Sequence, residues 1–124
     1  MSRMVSSLAT KGATMSNQHY SVVGVTFENR QEILSDFFKG YRHGGKYSVK
    51  LVHEADNQYD PNAVAVHLDV GGGVFRGVGY ISRQENRALS QSVDAGKVRS
   101  ASLRSIGPNY RGDIGLTIEA EVED

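Results

Sequence analysis

Cysteine is absent from the 124-residue sequence. The chain therefore forms no disulfide, holds no metal through a thiolate and carries no thiol nucleophile. Its four histidines are scattered, without the His-x-x-x-His spacing of a zinc-binding helix: His19, His43, His53 and His67. We interpret them as surface or core residues and expect neither a metal site nor a cofactor.

The sequence also lacks a net charge, because its 14 lysines and arginines balance its 14 aspartates and glutamates. A strongly basic coat, of the kind that attracts nucleic acid to a whole surface, is therefore excluded. Any nucleic acid that binds must be held by a local patch of residues.

Long apolar segments are missing as well. No run approaches the ~20 residues that a membrane-spanning helix needs. The first 18 residues, MSRMVSSLATKGATMSNQ, lack the apolar centre of a signal peptide. We interpret residues 1–18 as a disordered leader, native or added for expression, and residues 19–124 as one domain. The expected location is cytoplasmic.

Alternating apolar and β-branched residues predict six strands, at residues 19–27, 46–53, 62–70, 74–81, 97–106 and 114–123. Two short helices are predicted, each opened by a capping-box pair and closed by a glycine: Asn29, Glu32 and Gly40, then Ser82, Glu85 and Gly96. The last strand alternates most clearly, with an inward face of Leu116, Ile118, Ala120 and Val122. Gly77 and Gly79 leave part of the fourth strand without side chains, so another backbone can pack closely there.

The count of six strands and two short helices, with glycines where strands must bend, favours a mainly β fold. A six-stranded OB-like barrel is the expected architecture. A sandwich or an open α+β sheet is the alternative, because periodicity defines elements better than it defines their topology.

The segment EADNQYDP, residues 54–61, concentrates hydrogen-bonding side chains between the second and third predicted strands. Asn, Asp and Pro are common turn formers, so a plain connecting turn is one interpretation. Tyr59 argues against it, because a turn does not require an aromatic ring. A calcium loop matches poorly, since Pro61 stands where the glycine of such a loop belongs and no glutamate closes the frame.

Catalytic chemistry is the minority interpretation. Glu54, Asp56 and Asp60 could form part of a two-metal nuclease cluster, but such a cluster draws carboxylates from several elements and usually has a lysine beside them. No spacing supports a Ser-His-Asp triad, and GGG at residues 71–73 lacks the lysine and helix start of a phosphate-binding loop. We expect no catalytic residues, and therefore no enzyme.

Three segments resemble a known family: GVTFENRQ, KLVHEADNQYDPNAVAV and VGYISRQENRALSQSVDAG. They are similar to the HIRAN domain, which is found at the N-terminus of helicase-like DNA-repair translocases and as a free-standing protein in bacteria and phages. The match runs from about Val22 to about Val98, and the chain looks like the free-standing type. The resemblance implies an OB-like barrel of six strands and two helices, and it implies nucleic-acid binding.

The resemblance also implies roles for the EADNQYDP segment. In eukaryotic members the domain holds the 3′ end of single-stranded DNA, where the motif tyrosine stacks on a terminal base and the motif aspartate accepts from the free 3′ hydroxyl. By position these roles fall on Tyr59 and Asp60, with Asn57 shaping the backbone of the pocket. A carboxylate accepts from a hydroxyl but repels a phosphate, so such a pocket selects an unblocked end.

The sequence departs from the eukaryotic pattern at four positions. Thr26 and Phe27 replace an arginine and a tyrosine of the first strand, Tyr80 replaces a histidine, and Arg83 replaces a lysine. Phe27 can still stack, and Tyr80 and Arg83 can still hydrogen-bond, although aromatic residues in strands most often pack in a core or rim. The missing arginine removes a phosphate contact, so we expect lower affinity.

A small phosphate patch is a further candidate. Arg83 and Arg87 lie one helical turn apart, and Arg42 or Lys46 can join them. Exposed helix arginines are about as often mere solvated surface. The complete set of candidate nucleic-acid-binding residues is Phe27, Asn57, Tyr59, Asp60, Tyr80, Arg83 and Arg87.

The sequence thus favours a nucleic-acid-binding module for single-stranded DNA or 3′ DNA ends, working beside DNA repair, restriction, replication or phage proteins. The alternative is a protein-interaction module that keeps the fold but does not bind DNA. The acidic segment EAEVED at the C-terminus and the missing arginine motivate this alternative.

Overall fold

Six strands and two helices build the domain in a computed structural model that describes residues 14–124. Their order is β1 (Met15–Val23), α1 (Arg30–Lys39), β2 (Val49–His53), β3 (Val64–Asp69), β4 (Phe75–Ile81), α2 (Asn86–Asp94), β5 (Val98–Pro108) and β6 (Ile114–Glu123). The predicted number and order of elements are therefore confirmed. Residues 1–13, most of the expected leader, lie outside the described residues.

The strands form one antiparallel sheet in the order β2-β3-β4-β1-β6-β5. Its two edge strands approach each other at a single bridge between Ser48 and Ser102. Beside the bridge, the Leu103 N–H donates to the Tyr47 carbonyl oxygen at 2.8 Å. The sheet therefore curls into a nearly closed barrel, which confirms the expected mainly β architecture.

Apolar side chains from alternate strand positions fill the barrel. On β6, Leu116, Ile118 and Ala120 are buried and Val122 is half-buried, as the alternation predicts, while Glu121 is exposed. The helices cover the barrel with a few buried side chains each: Leu34 and Phe37 from α1, and Asn86, Leu89 and Ser90 from α2. No helix in the described part of the chain is long and apolar enough to cross a membrane.

The first strand is displaced from its predicted position. It begins at Met15, inside the expected leader, because Met15 to Ser21 pair residue by residue with β6 while the polar side chains of Asn17 and Gln18 face solvent. The strand ends at Val23 rather than at residue 27. Gly24, at φ 73°, turns the chain out of the sheet into a loop over residues 24–29.

Neither predicted capping box forms its side-chain cap. Asn29 does stand at the N-cap of α1, as predicted, but its side chain makes no cap hydrogen bond. Ser82 and Glu85 do interact, through a hydroxyl-to-carboxylate hydrogen bond of 3.2 Å, but they belong to a turn that precedes the helix. Helix α2 therefore starts at Asn86 with Glu85 at its N-cap, three residues later than a Ser82 cap predicts.

Gly79 is the glycine on which the barrel depends most. A Cβ atom built at this position would lie 2.5 Å from both Val22 Cγ1 and the Val23 carbonyl oxygen, where β1 pairs with β4. The same atom at Gly77 would have nothing closer than the His67 ring at 3.8 Å, an ordinary contact. The expected close approach of two backbones is confirmed at Gly79 alone of this pair.

We expect Gly79→Ala to lower the free energy of unfolding by about 1–3 kcal/mol, because the added methyl group meets backbone that cannot rotate away. Gly77→Ala serves as the matched control and should change stability by no more than ~0.5 kcal/mol. Urea denaturation followed by circular dichroism measures both. Equal stabilities of the two variants would contradict the close packing of β1 against Gly79.

Candidate nucleic-acid interface

The segment between β2 and β3 folds on its own hydrogen bonds. The Glu54 N–H donates to the Ala63 carbonyl oxygen at 2.8 Å and closes the base of the loop. Within it, Asn57 Oδ1 accepts from the backbone N–H groups of Tyr59 at 2.9 Å and Asp60 at 3.1 Å. The Asn57 side chain thus serves as the hydrogen-bond acceptor for two successive backbone N–H groups. These bonds hold the tip of the loop in one shape.

Tyr59 lies at this tip with 79% of its surface exposed. Its carbonyl oxygen accepts from Arg83 Nη2 at 3.3 Å, so the backbone is anchored while the ring faces solvent. A large aromatic ring that is exposed on a braced loop presents a flat face for stacking. The side chain of Arg83 is itself 75% exposed and places a cation beside the backbone of Tyr59.

Asp60 connects the loop to the start of α2. Its Oδ1 accepts from the Asn62 N–H at 2.9 Å, and its Oδ2 accepts from Asn86 Nδ2 at 2.8 Å. Arg83 Nε lies 3.7 Å from the same Oδ2. The hydrogen bond from Asn86, then the one from Asn62 and the charge of Arg83, lower the pKa of Asp60. The carboxylate is ionised at neutral pH, and with 19% of the side chain exposed it still reaches solvent.

Glu54 connects the loop to β4, a contact that the sequence does not predict. Its Oε1 accepts from the Tyr80 hydroxyl at 2.8 Å and from Asn57 Nδ2 at 3.0 Å, which joins the loop to β4. Burial, and then the hydrogen bond to Glu54, raise the pKa of Tyr80. The half-buried Tyr80 therefore braces the loop with its hydroxyl, and its ring is less available than that of Tyr59.

The loop over residues 24–29 lies on the other side of Tyr80. Phe27 is 66% exposed there. Arg30 holds this loop by donating to the Gly24 carbonyl oxygen at 2.7 Å and by pairing with Glu28 at 3.1 Å. The Arg30 guanidinium also lies 5.3 Å from the centre of the Tyr80 ring. A chain of contacts thus links Phe27 to the Tyr59 loop, and it runs through an arginine to which the sequence assigned no role.

The expected phosphate patch is only partly assembled. Arg83 touches the loop, and Arg87 is exposed further along α2. Lys46 and Arg42, in contrast, precede β2, whereas the loop follows it. The five residues of that strand separate them from the loop by about 17 Å at ~3.3 Å per residue, so the structure does not bring them to Arg83.

His53 ties the loop to the far end of α2. Its Nδ1 lies 2.9 Å from Asp94 Oδ1, and its Nε2 donates to the Pro61 carbonyl oxygen at 2.7 Å. Both partners are acceptors, so the imidazole satisfies both when each nitrogen carries a proton. The hydrogen bonds to Asp94 and then to Pro61 accordingly raise the pKa of His53.

This arrangement predicts a stability that depends on pH. Because the folded-state pKa lies above the ordinary value of about 6.5, the stabilising contribution is complete below that pH and is lost as the pH rises through the raised pKa. We expect Asp94→Asn to be less stable than the wild type at pH 5.5 and equally stable at pH 9. Thermal melts of both proteins test this, and a difference that does not depend on pH would contradict it.

Comparison with known sequences identifies the family. A sequence model of the HIRAN domain matches residues 14–123, nearly the whole chain. The chain belongs to the HIRAN domain family. A crystal structure of a protein from Lactobacillus plantarum is similar to it, with 22% sequence identity and a TM-score of 0.57, covering 90% of this chain and 99% of that one. At this identity the similarity concerns the fold alone, and no curated protein matches the chain.

HIRAN domains are generally DNA-binding modules and are not catalytic themselves. In this HIRAN domain the structure gathers the candidate residues around the loop of residues 54–62. Asn57, Tyr59, Asp60 and Arg83 are in direct contact, and Tyr80 joins them through Glu54. Phe27 is linked to Tyr80 only through Arg30, and Arg87 lies apart on the exposed face of α2. Across residues 14–124, no three histidine, aspartate or glutamate residues meet in a group that could hold a metal ion.

Proposed function

We propose that this HIRAN domain binds single-stranded DNA and recognises free 3′ ends at the loop of residues 54–62. The observation that carries the proposal is the exposed ring of Tyr59, on a backbone that Asn57 and Arg83 hold next to an ionised carboxylate. A ring in that position stacks on any base without reading sequence. The domain then works beside a repair, replication or phage protein that exposes such ends.

Asp60 supplies the selection for an unblocked end. Each of its oxygens accepts one hydrogen bond from the protein, which leaves acceptor capacity on both for a hydroxyl donor. A terminal phosphate in the same place would meet a carboxylate of like charge and would be disfavoured. Arg83, close to the Tyr59 carbonyl, is positioned to contact the phosphate that joins the last two nucleotides.

The affinity is limited by the small number of free cations. Arg30 is largely covered and already paired with Glu28, so it adds little direct attraction for DNA. With Arg83 at the loop and Arg87 exposed on α2, about two phosphates can be neutralised, and the dependence on salt should be shallow.

Fluorescence anisotropy with a 5′-labelled oligothymidine of ten nucleotides tests the proposal. We expect the domain to bind the single strand at least about tenfold more tightly than a blunt duplex of the same length, because stacking on Tyr59 requires an unstacked base. Equal and weak binding of both at low salt would contradict single-strand recognition. A shallow decline of affinity between 50 and 200 mM salt is expected from the two arginines.

A further inference from the structure

A second surface lies where the barrel fails to close. Beyond the Ser48–Ser102 bridge, strands β2 and β5 diverge and leave a groove of about 360 Å³ between them, which we call the β2–β5 seam. Its sides are residues 49–52 and 98–101, and Val93 of α2 also lines it. The seam contains both edges of the sheet, because β2 and β5 are the two end strands.

Backbone groups of both strands point into the seam. The carbonyl oxygen of Ser48, just before β2, accepts from the Asp69 N–H beside β3. Residues alternate between the two sides of a strand, so the N–H and C=O of Leu51, three positions on, are directed away from β3. On β5, the Leu103 N–H reaches Tyr47, and Ala101, two residues earlier, is directed the same way. Past the bridge these groups face a gap instead of a strand, which is the condition for adding a strand from another chain.

The side chains define which strand fits. Val49 is buried and Leu51 is half-buried, so they point inward, whereas Lys50 and Val52 point outward. The charged residues that line the seam are Lys50 and Arg99, both cations, and of the two Arg99 is already paired with Glu123 of β6. A matching strand therefore alternates apolar residues, directed at the groove, with acidic residues, directed at the outer face.

The domain already contains such a pair. On its other side, β5 bonds to β6, whose sequence IEAEVE alternates apolar and acidic residues. There the glutamates of β6 meet the outward cations of β5: Arg99 pairs with Glu123, and Arg104 lies 3.7 Å from Glu119. The chain itself thus shows that β5 accepts a strand of this composition.

We propose that the β2–β5 seam binds an extended segment of a partner protein, with alternating apolar and acidic residues, as an added β-strand. Lys50 supports this choice, because its ammonium lies 4.2 Å from the centre of the Phe75 ring, an interaction that leaves its charge uncompensated. The seam shares no lining residue with the loop of residues 54–62, although Val52 and Val93 at its end adjoin His53 and Asp94, which tie that loop to α2.

The peptide acetyl-Thr-Ile-Glu-Ala-Glu-Val-Glu-amide, copied from β6, is the probe. Titrated into the ¹⁵N-labelled domain, it should bind saturably and should slow hydrogen exchange of the Leu51 and Ala101 amides. Lys50→Glu should weaken binding about tenfold, since an attraction becomes a repulsion. Lys39→Glu, an exposed lysine on α1 with a side chain 77% exposed, should have no effect.

Two control peptides separate strand pairing from plain charge attraction. Replacing each glutamate by lysine removes the charge match, and methylating the backbone nitrogens of Ile, Ala and Val blocks the ladder. Both should abolish the protection of Leu51 and Ala101. Equal binding of all three peptides, or no protection of these amides by the first, overturns the proposal. So does a concentration-dependent dimer that protects the same amides without peptide, because the occupant is then a second copy of the domain.

Discussion

Replacing Tyr59 by alanine is expected to weaken the binding of a single-stranded oligonucleotide roughly 5- to 150-fold, the equivalent of about 1–3 kcal/mol for one stacked base. The loss should be this large because 79% of the residue is exposed and its side chain makes no hydrogen bond within residues 14–124, which leaves the ring open to a ligand. Anisotropy titrations of the variant and the wild type with the same oligothymidine measure the ratio.

Two substitutions at the same position serve as controls. Tyr59→Phe keeps the aromatic face and should bind within about threefold of the wild type, whereas Tyr59→Leu keeps apolar surface but loses the face and should resemble alanine. All three variants should be as stable as the wild type within ~0.5 kcal/mol, because the side chain is outside the core. Unchanged affinity of Tyr59→Ala would exclude the ring from the interface.

Discrimination between DNA ends should depend on Asp60. We expect the wild type to bind an oligonucleotide with a free 3′ hydroxyl on the order of 10- to 100-fold more tightly than the same strand with a 3′ phosphate, since the carboxylate repels a terminal phosphate. Asp60→Asn removes the charge and should reduce this ratio to about threefold or less. Competition titrations with the two oligonucleotides provide the ratio for each protein.

Asn86→Ala is the control for the structural role of Asp60. Both variants disturb the hydrogen bond between Asp60 and Asn86, because an asparagine at position 60 has one acceptor oxygen for the two partners that the carboxylate holds. Only Asp60→Asn removes the charge. We expect both proteins to melt at lower temperature than the wild type, and only Asp60→Asn to lose discrimination. Loss of discrimination in Asn86→Ala would mean that the position of the loop, and not the carboxylate charge, selects the end.

The elements that depend on local pattern could be predicted from the sequence. The alternation of Leu116, Ile118 and Ala120 specifies the inward face of β6, because burial on one side of a strand has a period of two. The spacing of Gly77 and Gly79 also indicated a close approach of two backbones, although the sequence could not show that Gly79 alone carries it.

Contacts between distant segments could not be predicted. Glu54 meets Tyr80 across 26 positions of sequence, and Arg30 lies against the same ring, so neither role has a local signal. The sequence predicts the start of α2 too early for the same reason. A serine and a glutamate three residues apart fit a capping box, but Asp60 of the distant loop bonds to Asn86 at the first residue of the helix.

The most direct test of the account is an NMR titration of the ¹⁵N-labelled domain with a single-stranded oligothymidine that has a free 3′ hydroxyl. The account predicts that the largest amide shifts fall on residues 57–60 and on Arg83, with smaller ones at Phe27, and that Leu51 and Ala101 in the β2–β5 seam do not respond. Saturation with shifts that avoid residues 57–60, or no shifts at millimolar DNA and low salt, would contradict the assignment of this loop as the nucleic-acid interface.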